Sequence, residues 1–201
     1  MNKVIKALLI LIFIIVSCQN KERDKIKETL TNYLNALSPF DAEIKDHFPF
    51  DLYNDEIRDL FFLTPNSAVS GHNAYAILRV HPDAIDYSNI VMSIQDHGYN
   101  KIVFDERTII LPDSSDHSLI NDPIIIPDLC ELLGGQENDP HNSKSCFSKM
   151  YLIDSGKGNY TNSSKKLRSK PYLPEEWEHG YSRGIAIDTV EHDVIYWLMI
   201  W

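Results

Sequence analysis

The chain has 201 residues, of which 43% are hydrophobic and 24% charged, and its formal net charge is −10. These fractions are ordinary for a globular protein and argue against wholesale disorder. The excess of acid argues against binding nucleic acid or anionic lipid headgroups through bulk electrostatics, so no nucleic-acid partner is predicted.

The start of the chain has the pattern of a secretory signal. Lys3 and Lys6 precede an unbroken apolar run at positions 7–16, which Ser17 and Cys18 follow. A basic segment, an apolar core and a small residue at the cleavage site are typical of a signal peptide. The apolar run is too short for a membrane span, which needs roughly 20 apolar residues.

The end of this leader, Ile15-Val16-Ser17-Cys18, resembles the lipobox of bacterial lipoproteins. The resemblance covers the leader alone. It implies cleavage before Cys18, a diacylglycerol on the Cys18 thiol and usually an acyl group on the new amine. Two or more acyl chains hold a protein stably on a bilayer. The alternatives are a plain signal peptide and a short N-terminal anchor.

The resemblance also implies a place for the mature chain, which would carry a formal charge of −12 after loss of two leader lysines. That place is the bacterial cell envelope, and Gln19 after the lipobox favours the outer membrane over the inner one. We therefore expect a leader at 1–17, a polar tether at 18–25 and a single domain at 26–201. A domain of that length can bury one sizeable core.

Two cysteines remain after Cys18, and both would lie in an oxidising compartment. A disulfide between Cys130 and Cys146 is the leading interpretation. It would close a loop of about 16 residues and contribute on the order of 3 kcal/mol in the chain-entropy model. The alternatives are two free thiols, or one cysteine that acts as a nucleophile beside a histidine.

Hydrophobic spacing predicts helices first and strands later. The first part of the domain is predicted as three helical segments, at 26–37, at 41–46 and around Leu52, Ile57, Leu60 and Phe61. The middle is predicted as a strand at 75–80, a helix at 85–97 ended by Gly98, a hairpin of 101–104 and 108–111, a short strand at 124–126, helical turns at 128–133 and a strand at 150–154.

The end of the chain carries the clearest strand pattern. Segments 184–188 and 194–201 flank a short polar turn, and nearly every residue of the second segment is apolar. A run without polar alternation is typical of a strand buried on both faces. The predicted fold class is therefore α+β, with N-terminal helices packed on a mainly antiparallel sheet that ends in a C-terminal β-hairpin.

A catalytic signature is not apparent in the sequence, which has no nucleophile elbow, Walker loop, dinucleotide glycine pattern or zinc-protease helix. Five acid–histidine neighbours occur, but adjacency alone does not build a dyad, because neighbours on a strand point in different directions. One loop combines Asp113, Asp116, His117 and Asp122, which could hold a divalent metal. The alternative is a solvated polar loop.

A second candidate site is the segment with Trp177, His179, Tyr181 and Arg183. Trp, Tyr and Arg are enriched in binding hot spots, and alternate positions share one face of an extended segment. This would be a recognition surface for a peptide, glycan or protein. The alternative is a core-facing tryptophan with a polar edge.

Together these features predict a membrane-anchored envelope lipoprotein whose domain binds rather than catalyses. The expected partners are the membrane, through the N-terminal lipid, and a protein, of basic character because the domain is acidic; no cofactor is predicted. The alternative is an envelope hydrolase with an Asp/His site, with or without a metal, in the 113–122 loop. Convergence of those side chains in a concave pocket would favour the hydrolase.

Overall fold

The computed structural model describes residues 28, 31–35, 37–49, 57–63, 73–112, 115–133, 147, 149–160 and 167–201. Contacts divide the chain into two compact units, Met1–Asn35 and Ala36–Trp201. In the first unit, residues 31–35 are helical, as predicted. The leader, the tether and Cys18 lie outside the described residues.

The second unit carries the strands and the remaining helices, which we number in chain order. The helices are α1 (Ala42–Lys45), α2 (Ala84–Asp96) and α3 (Leu129–Leu132), with a 3-10 turn at Glu175–Trp177. The strands are β1 (Ile57–Leu63), β2 (Ala74–Val80), β3 (Asn100–Lys101), β4 (Thr108–Leu111), β5 (Ile124–Pro127), β6 (Lys149–Lys157), β7 (Gly180–Asp188) and β8 (Asp193–Ile200).

One antiparallel sheet organises this unit, with strand order β1-β2-β8-β7-β6-β3. Strands β7 and β8 form the predicted C-terminal hairpin, and β8 lies in the middle of the sheet with every residue buried. A separate parallel pair, β4 and β5, packs beside it. The α+β prediction is confirmed, and so is the central position of the last strand.

The predicted helix around Leu52–Phe61 is wrong where the structure describes it. Residues from Ile57 onward form strand β1, which pairs with β2 through contacts such as Phe61 with Ile77. The apolar spacing fitted a helix, but aromatic and β-branched residues also suit a pleated sheet. Cross-strand pairing with a buried neighbour therefore overrode a weak local helical pattern.

The predicted hairpin of 101–104 and 108–111 is also wrong, although a turn does form between the segments. In that turn, the backbone N–H groups of Arg107 and Thr108 donate to the side chain and carbonyl of Asp105, at 2.9 and 3.0 Å. Strand β3 then pairs with β6, whereas β4 pairs in parallel with β5. Each segment finds its partner far away in sequence, which local spacing cannot reveal.

Helix α2 begins and ends where the sequence predicts. The Asp83 carboxylate accepts hydrogen bonds from the backbone of Ile85 and Asp86, at 2.8 and 2.9 Å, and so caps the first turn. Gly98 follows the helix with φ of +65°, which a glycine adopts without steric cost. No helix in the described part of the chain is both long and apolar enough to cross a membrane.

The two faces of the sheet differ in how they are covered. One face, which we call the packed face, carries Ile77, Ile195 and Trp197 and belongs to the main hydrophobic core, together with residues of β4, β5 and α3. The opposite face, which we call the helix face, carries Ile185 and Tyr196 in the alternate positions. Helices α1 and α2 lie on the helix face.

Small residues of β7 allow two tryptophan rings to lie close against the packed face. A Cβ at Gly184 would sit 2.5 Å from Cζ2 of Trp197, and one at Gly180 would sit 2.6 Å from Cζ2 of Trp201. The Trp201 ring stacks on Trp177 at 6.2 Å, and its Nε1 donates to the Trp177 carbonyl at 2.8 Å. The C-terminal residue is therefore part of the core.

Candidate functional site

The predicted Asp/His loop does not gather its described members into a metal site. Asp113 lies outside the described residues. The backbone N–H of Ser118 donates to Asp116 at 2.9 Å, and this bond lowers the pKa of that carboxyl. The backbone N–H of His117 donates to the carbonyl of Tyr172 at 2.7 Å. Across the described residues, no group of three or more His, Cys, Asp or Glu could hold a metal ion.

The second predicted surface does not form as one face, because strand β7 begins only at Gly180. Trp177 belongs to the preceding 3-10 turn and is 6% exposed, so it packs in the core, as the alternative interpretation expected. His179 also precedes the strand, and its carbonyl accepts from Gly158 at 2.9 Å. Only Tyr181 and Arg183 share a face, the helix face.

Most polar atoms of this remaining pair have partners within the protein, although Nε of Arg183 is buried without a described hydrogen-bond partner. The Tyr181 hydroxyl donates to Asp154 at 2.5 Å, and burial, followed by this carboxylate, raises the Tyr181 pKa. Arg183 donates to the carbonyl of Glu43 at 2.7 Å and to the carboxylate of Asp46. Arg183 therefore fastens the end of α1 to the sheet.

Of the two cysteines predicted to form a disulfide, the structure describes only Cys130. Cys130 lies in α3, where its backbone N–H donates to the capping Asp128 at 3.1 Å, and it is disulfide-bonded. Cys146 lies outside the described residues, so the Cys130–Cys146 pairing stays a prediction.

A buried carboxylate that the sequence did not reveal lies at one end of the sheet, at the start of β8. Asp193 has a fully buried side chain and accepts from Arg79 Nε at 2.6 Å, His81 Nδ1 at 2.8 Å and Arg58 Nη1 at 3.3 Å. These partners lie on β1, on β2 and just after β2, far from Asp193 in sequence. With Arg58 and Arg79, the Asp193 carboxylate therefore forms an ion-pair network that links β1, β2 and β8.

Helix α2 rests on the helix face through a narrow line of contact. Ile94 is its one buried residue, whereas Ile85 and Met92 are 72% and 53% exposed. The helix therefore leaves a cavity along each flank. The lysine-side cavity, about 350 Å³, is lined by Met92, Lys149 and Ile187 among others.

The histidine-side cavity lies on the other flank and measures about 370 Å³. It is lined by His47, Ser93, Tyr99 and Ile185 among others. Both volumes fall within the range of small-molecule sites, roughly 300–1,000 Å³. The cavities exist because α2 bridges strands that belong to distant parts of the chain, so no local pattern could have indicated them.

His47 is the group with the most unusual environment in the histidine-side cavity. Its Nε2 lies 3.1 Å from the carbonyl oxygen of Trp197, which can only accept, so Nε2 carries the hydrogen. Burial lowers the His47 pKa from 6.5 to about 4, so the ring is neutral at pH 7. In a neutral ring Nδ1 is then an acceptor, and no described residue donates to it.

No protein-family model, curated protein or solved structure matches this chain. The chemistry of the site is thus inferred from its own residues. Nδ1 of His47 has almost no accessible surface, and the Ser93 hydroxyl lies 3.3 Å from Nδ1 of His97. The lining therefore combines isoleucine and tyrosine side chains with the exposed side chains of Asn89 and Ser93. The neutral imidazole is a weak base near pH 7, because its pKa is about 4.

Proposed function

We propose that this chain is a lipid-anchored lipoprotein of the bacterial cell envelope, held at the outer membrane through Cys18, with a non-enzymatic binding domain. The anchoring half is supported by the basic and apolar leader that ends in Ile15-Val16-Ser17-Cys18. The binding half is supported by the cleft between α2 and the sheet, with a cavity on either flank. Envelope components that enter this cleft are the expected ligands, and the acidity of the domain separately supports a protein partner of basic character.

The observation that carries the binding half is the contrast between the cleft and the predicted Asp/His loop. The cleft is concave and of ligand size, whereas the described loop residues Asp116, His117 and Asp122 form no metal-holding group. Ligand sites are typically apolar cavities with a few placed polar groups. The histidine-side cavity has this composition.

Mass spectrometry of the protein purified from its native membrane tests the anchoring half. The expected mature chain begins at Cys18 and carries at least two acyl chains, and the protein fractionates with the outer membrane. Replacing Cys18 by alanine should release the protein from the membrane fraction. An intact, unmodified leader on cytosolic material would overturn this half.

Capture from envelope extract tests the binding half with a matched pair of variants. Ser93→Trp places a large ring in the histidine-side cavity, whereas Gln95→Trp places the same ring on an exposed position of the same helix. We expect the wild type and Gln95→Trp to retain a common set of components that Ser93→Trp loses. A stoichiometric divalent metal, or hydrolysis abolished by His117→Ala, would favour the hydrolase instead.

A further inference from the structure

The lysine-side cavity carries one charged side chain in an otherwise uncharged lining. That side chain is Lys149, and no described residue of the lining is Asp or Glu. Lys149 lies opposite Ile187 in the register of β6 and β7, so both side chains project from the helix face. The sheet wall of the cavity therefore combines an apolar surface with one positive charge.

The Lys149 side chain has no carboxylate partner within the described part of the chain. It forms no ion pair there, and the residue is half-buried. A lysine on an apolar wall lays its carbon stem along that wall and keeps its ammonium in water at the edge. The cavity is open at that edge, where Ser88 and Met92 are exposed. An anionic group at this mouth would therefore meet an ammonium that no described carboxylate neutralises.

The helix wall of the cavity is an apolar stripe that the fold covers incompletely. Tyr87, Val91 and Ile94 follow one another at helical spacing, and only Ile94 is buried. Met92 borders this stripe with 53% exposure, and its unbranched thioether adapts to the outline of a flexible ligand. The stripe extends over two helical turns, about 10 Å. One extended hydrocarbon chain of medium length would cover it.

We propose that the lysine-side cavity binds the hydrocarbon chain of a medium-length fatty acid, whose carboxylate pairs with the Lys149 ammonium at the mouth. This inference rests on the proposed binding function of the cleft and names a ligand class for one flank. The volume of about 350 Å³ is near the lower end for ligand sites, so the cavity takes one chain rather than a two-chain lipid. The net charge of −10 does not forbid an anion, because salt screens charges beyond about 8 Å.

Calorimetric titration of the mature chain with Cys18→Ala tests this binding, because that chain keeps every residue after the leader and carries no acyl group. The probes are octanoate, decanoate, 1-decanol and decyltrimethylammonium. We expect decanoate to bind saturably with a dissociation constant below about 1 mM. Octanoate should bind roughly tenfold more weakly, since each buried CH₂ contributes about three- to fourfold. Decanol should bind about two- to fivefold more weakly than decanoate, and the cationic probe should bind most weakly.

Variants of the lysine test the ion pair. Lys149→Gln removes the charge and should weaken decanoate binding about two- to fivefold, as suits one half-exposed ion pair, while decanol binding stays unchanged. Lys149→Arg keeps the charge and should retain decanoate binding. Lys157→Gln makes the same change at the other end of β6, where the lysine pairs with Glu176, and should alter neither affinity.

Variants of α2 locate the chain. Ser88→Trp places a large ring in the lysine-side cavity and should abolish decanoate binding. Ser93→Trp places the same ring in the histidine-side cavity and should leave decanoate binding unchanged. Methyl resonances give a second readout that needs no variant, since decanoate should move those of Met92 and Ile187 more than that of Ile185.

Four results would overturn the proposal. They are decanol binding as tight as that of decanoate, Lys149→Gln weakening both ligands equally or neither, methyl shifts centred on Ile185, and no saturable binding of any probe. Each of them removes either the charge pairing or the position of the chain.

These outcomes are distinct from failure of the proposed function. A lipidated protein that captures an envelope component through the cleft, yet binds no fatty acid, keeps the binding function and overturns the fatty-acid assignment. A cytosolic, unmodified protein that binds decanoate at Lys149 overturns the anchoring and keeps the fatty-acid assignment.

Discussion

The packed face and the helix face of the same sheet differ in how closely their side chains are packed. On the packed face, Trp197 lies against Gly184 so closely that a methyl group has no room. On the helix face, α2 buries Ile94 alone and leaves cavities of about 350 and 370 Å³ on its flanks. Both cavities are clefts lined in part by exposed residues, such as Met92 and Ser93, rather than enclosed voids. The packed face therefore has the closer packing, and the helix face holds the proposed binding cleft.

Removal of the last four residues should have the largest effect, since it takes side chains from the middle of the sheet. The residues Leu198–Trp201 are each at most 1% exposed. Loss of a large buried side chain costs about 2–5 kcal/mol, so the loss of four costs about 8–20 kcal/mol, as much as the roughly 5–15 kcal/mol that stabilises a whole domain. We expect the truncated protein to show no cooperative thermal transition by circular dichroism.

A control for this truncation is available in the β7–β8 turn. Val190 is 81% exposed, and Val190→Ser should change the free energy of unfolding by less than about 0.5 kcal/mol. A truncated protein with a normal cooperative melt would contradict the central, buried position of strand β8.

Addition of one methyl group to the packed face should have the next largest effect. An alanine Cβ at position 184 meets the Tyr151 carbonyl oxygen and the Trp197 ring, and the backbone oxygen cannot move aside cheaply. We expect Gly184→Ala to lower the free energy of unfolding, measured with urea, by about 2–3 kcal/mol. Gly98→Ala meets no atom within 4 Å and should cost only about 1 kcal/mol for its positive φ.

The elements that could be predicted from the sequence are those whose pattern is independent of distant partners. Strand β8 is apolar at nearly every position, and α2 carries its own cap at Asp83 and its own end at Gly98. The spacing in strand β1 suits both a helix and a strand, and pairing with β2 decides between them. The spacing around β3 and β4 suits a hairpin, but the two strands pair with β6 and β5 instead of with each other.

The candidate site was less predictable, for a physical reason. His47 counted only as one of five acid–histidine neighbours, and its neutrality comes from burial against β8, about 150 residues later. Asp193 likewise binds His81 rather than its sequence neighbour His192. Each residue type is visible in the sequence, but burial and proximity arise only when distant strands assemble.

The pH dependence of stability should reveal the buried histidine of the helix face. The His47 pKa falls from 6.5 to about 4 in the folded state, mainly through burial, with the Arg183 charge acting in the same direction and the Asp46 charge opposing it. Between these values the unfolded chain binds more protons than the folded one. The contribution of the neutral His47 to the free energy of unfolding is therefore fully present above pH 6.5, and it decreases by about 2–3 kcal/mol as the pH drops to 4.

A comparison of two variants separates the effect of His47 on the pH dependence of stability from that of carboxylates, which titrate in the same pH range. Urea unfolding of His47→Gln, at pH values from 7 to 4.5, should show a shallower loss of stability than the wild type. His97→Gln replaces an exposed histidine and should keep the wild-type slope. Equal slopes for His47→Gln and the wild type would mean that His47 is solvated rather than enclosed by the cavity wall.

The smallest expected effect compares the two faces with the same chemical change. Ile195→Val removes a methyl group from the fully packed side, and Ile94→Val removes one from a residue that borders both cavities. Such a change costs about 0.5–1.5 kcal/mol, depending on how tightly the neighbours enclose the lost group. We expect a cost near the upper end for Ile195 and near the lower end for Ile94. Urea unfolding resolves this difference when the variants are measured together, and equal or reversed costs would show that α2 packs as tightly as the core, leaving no room for a ligand.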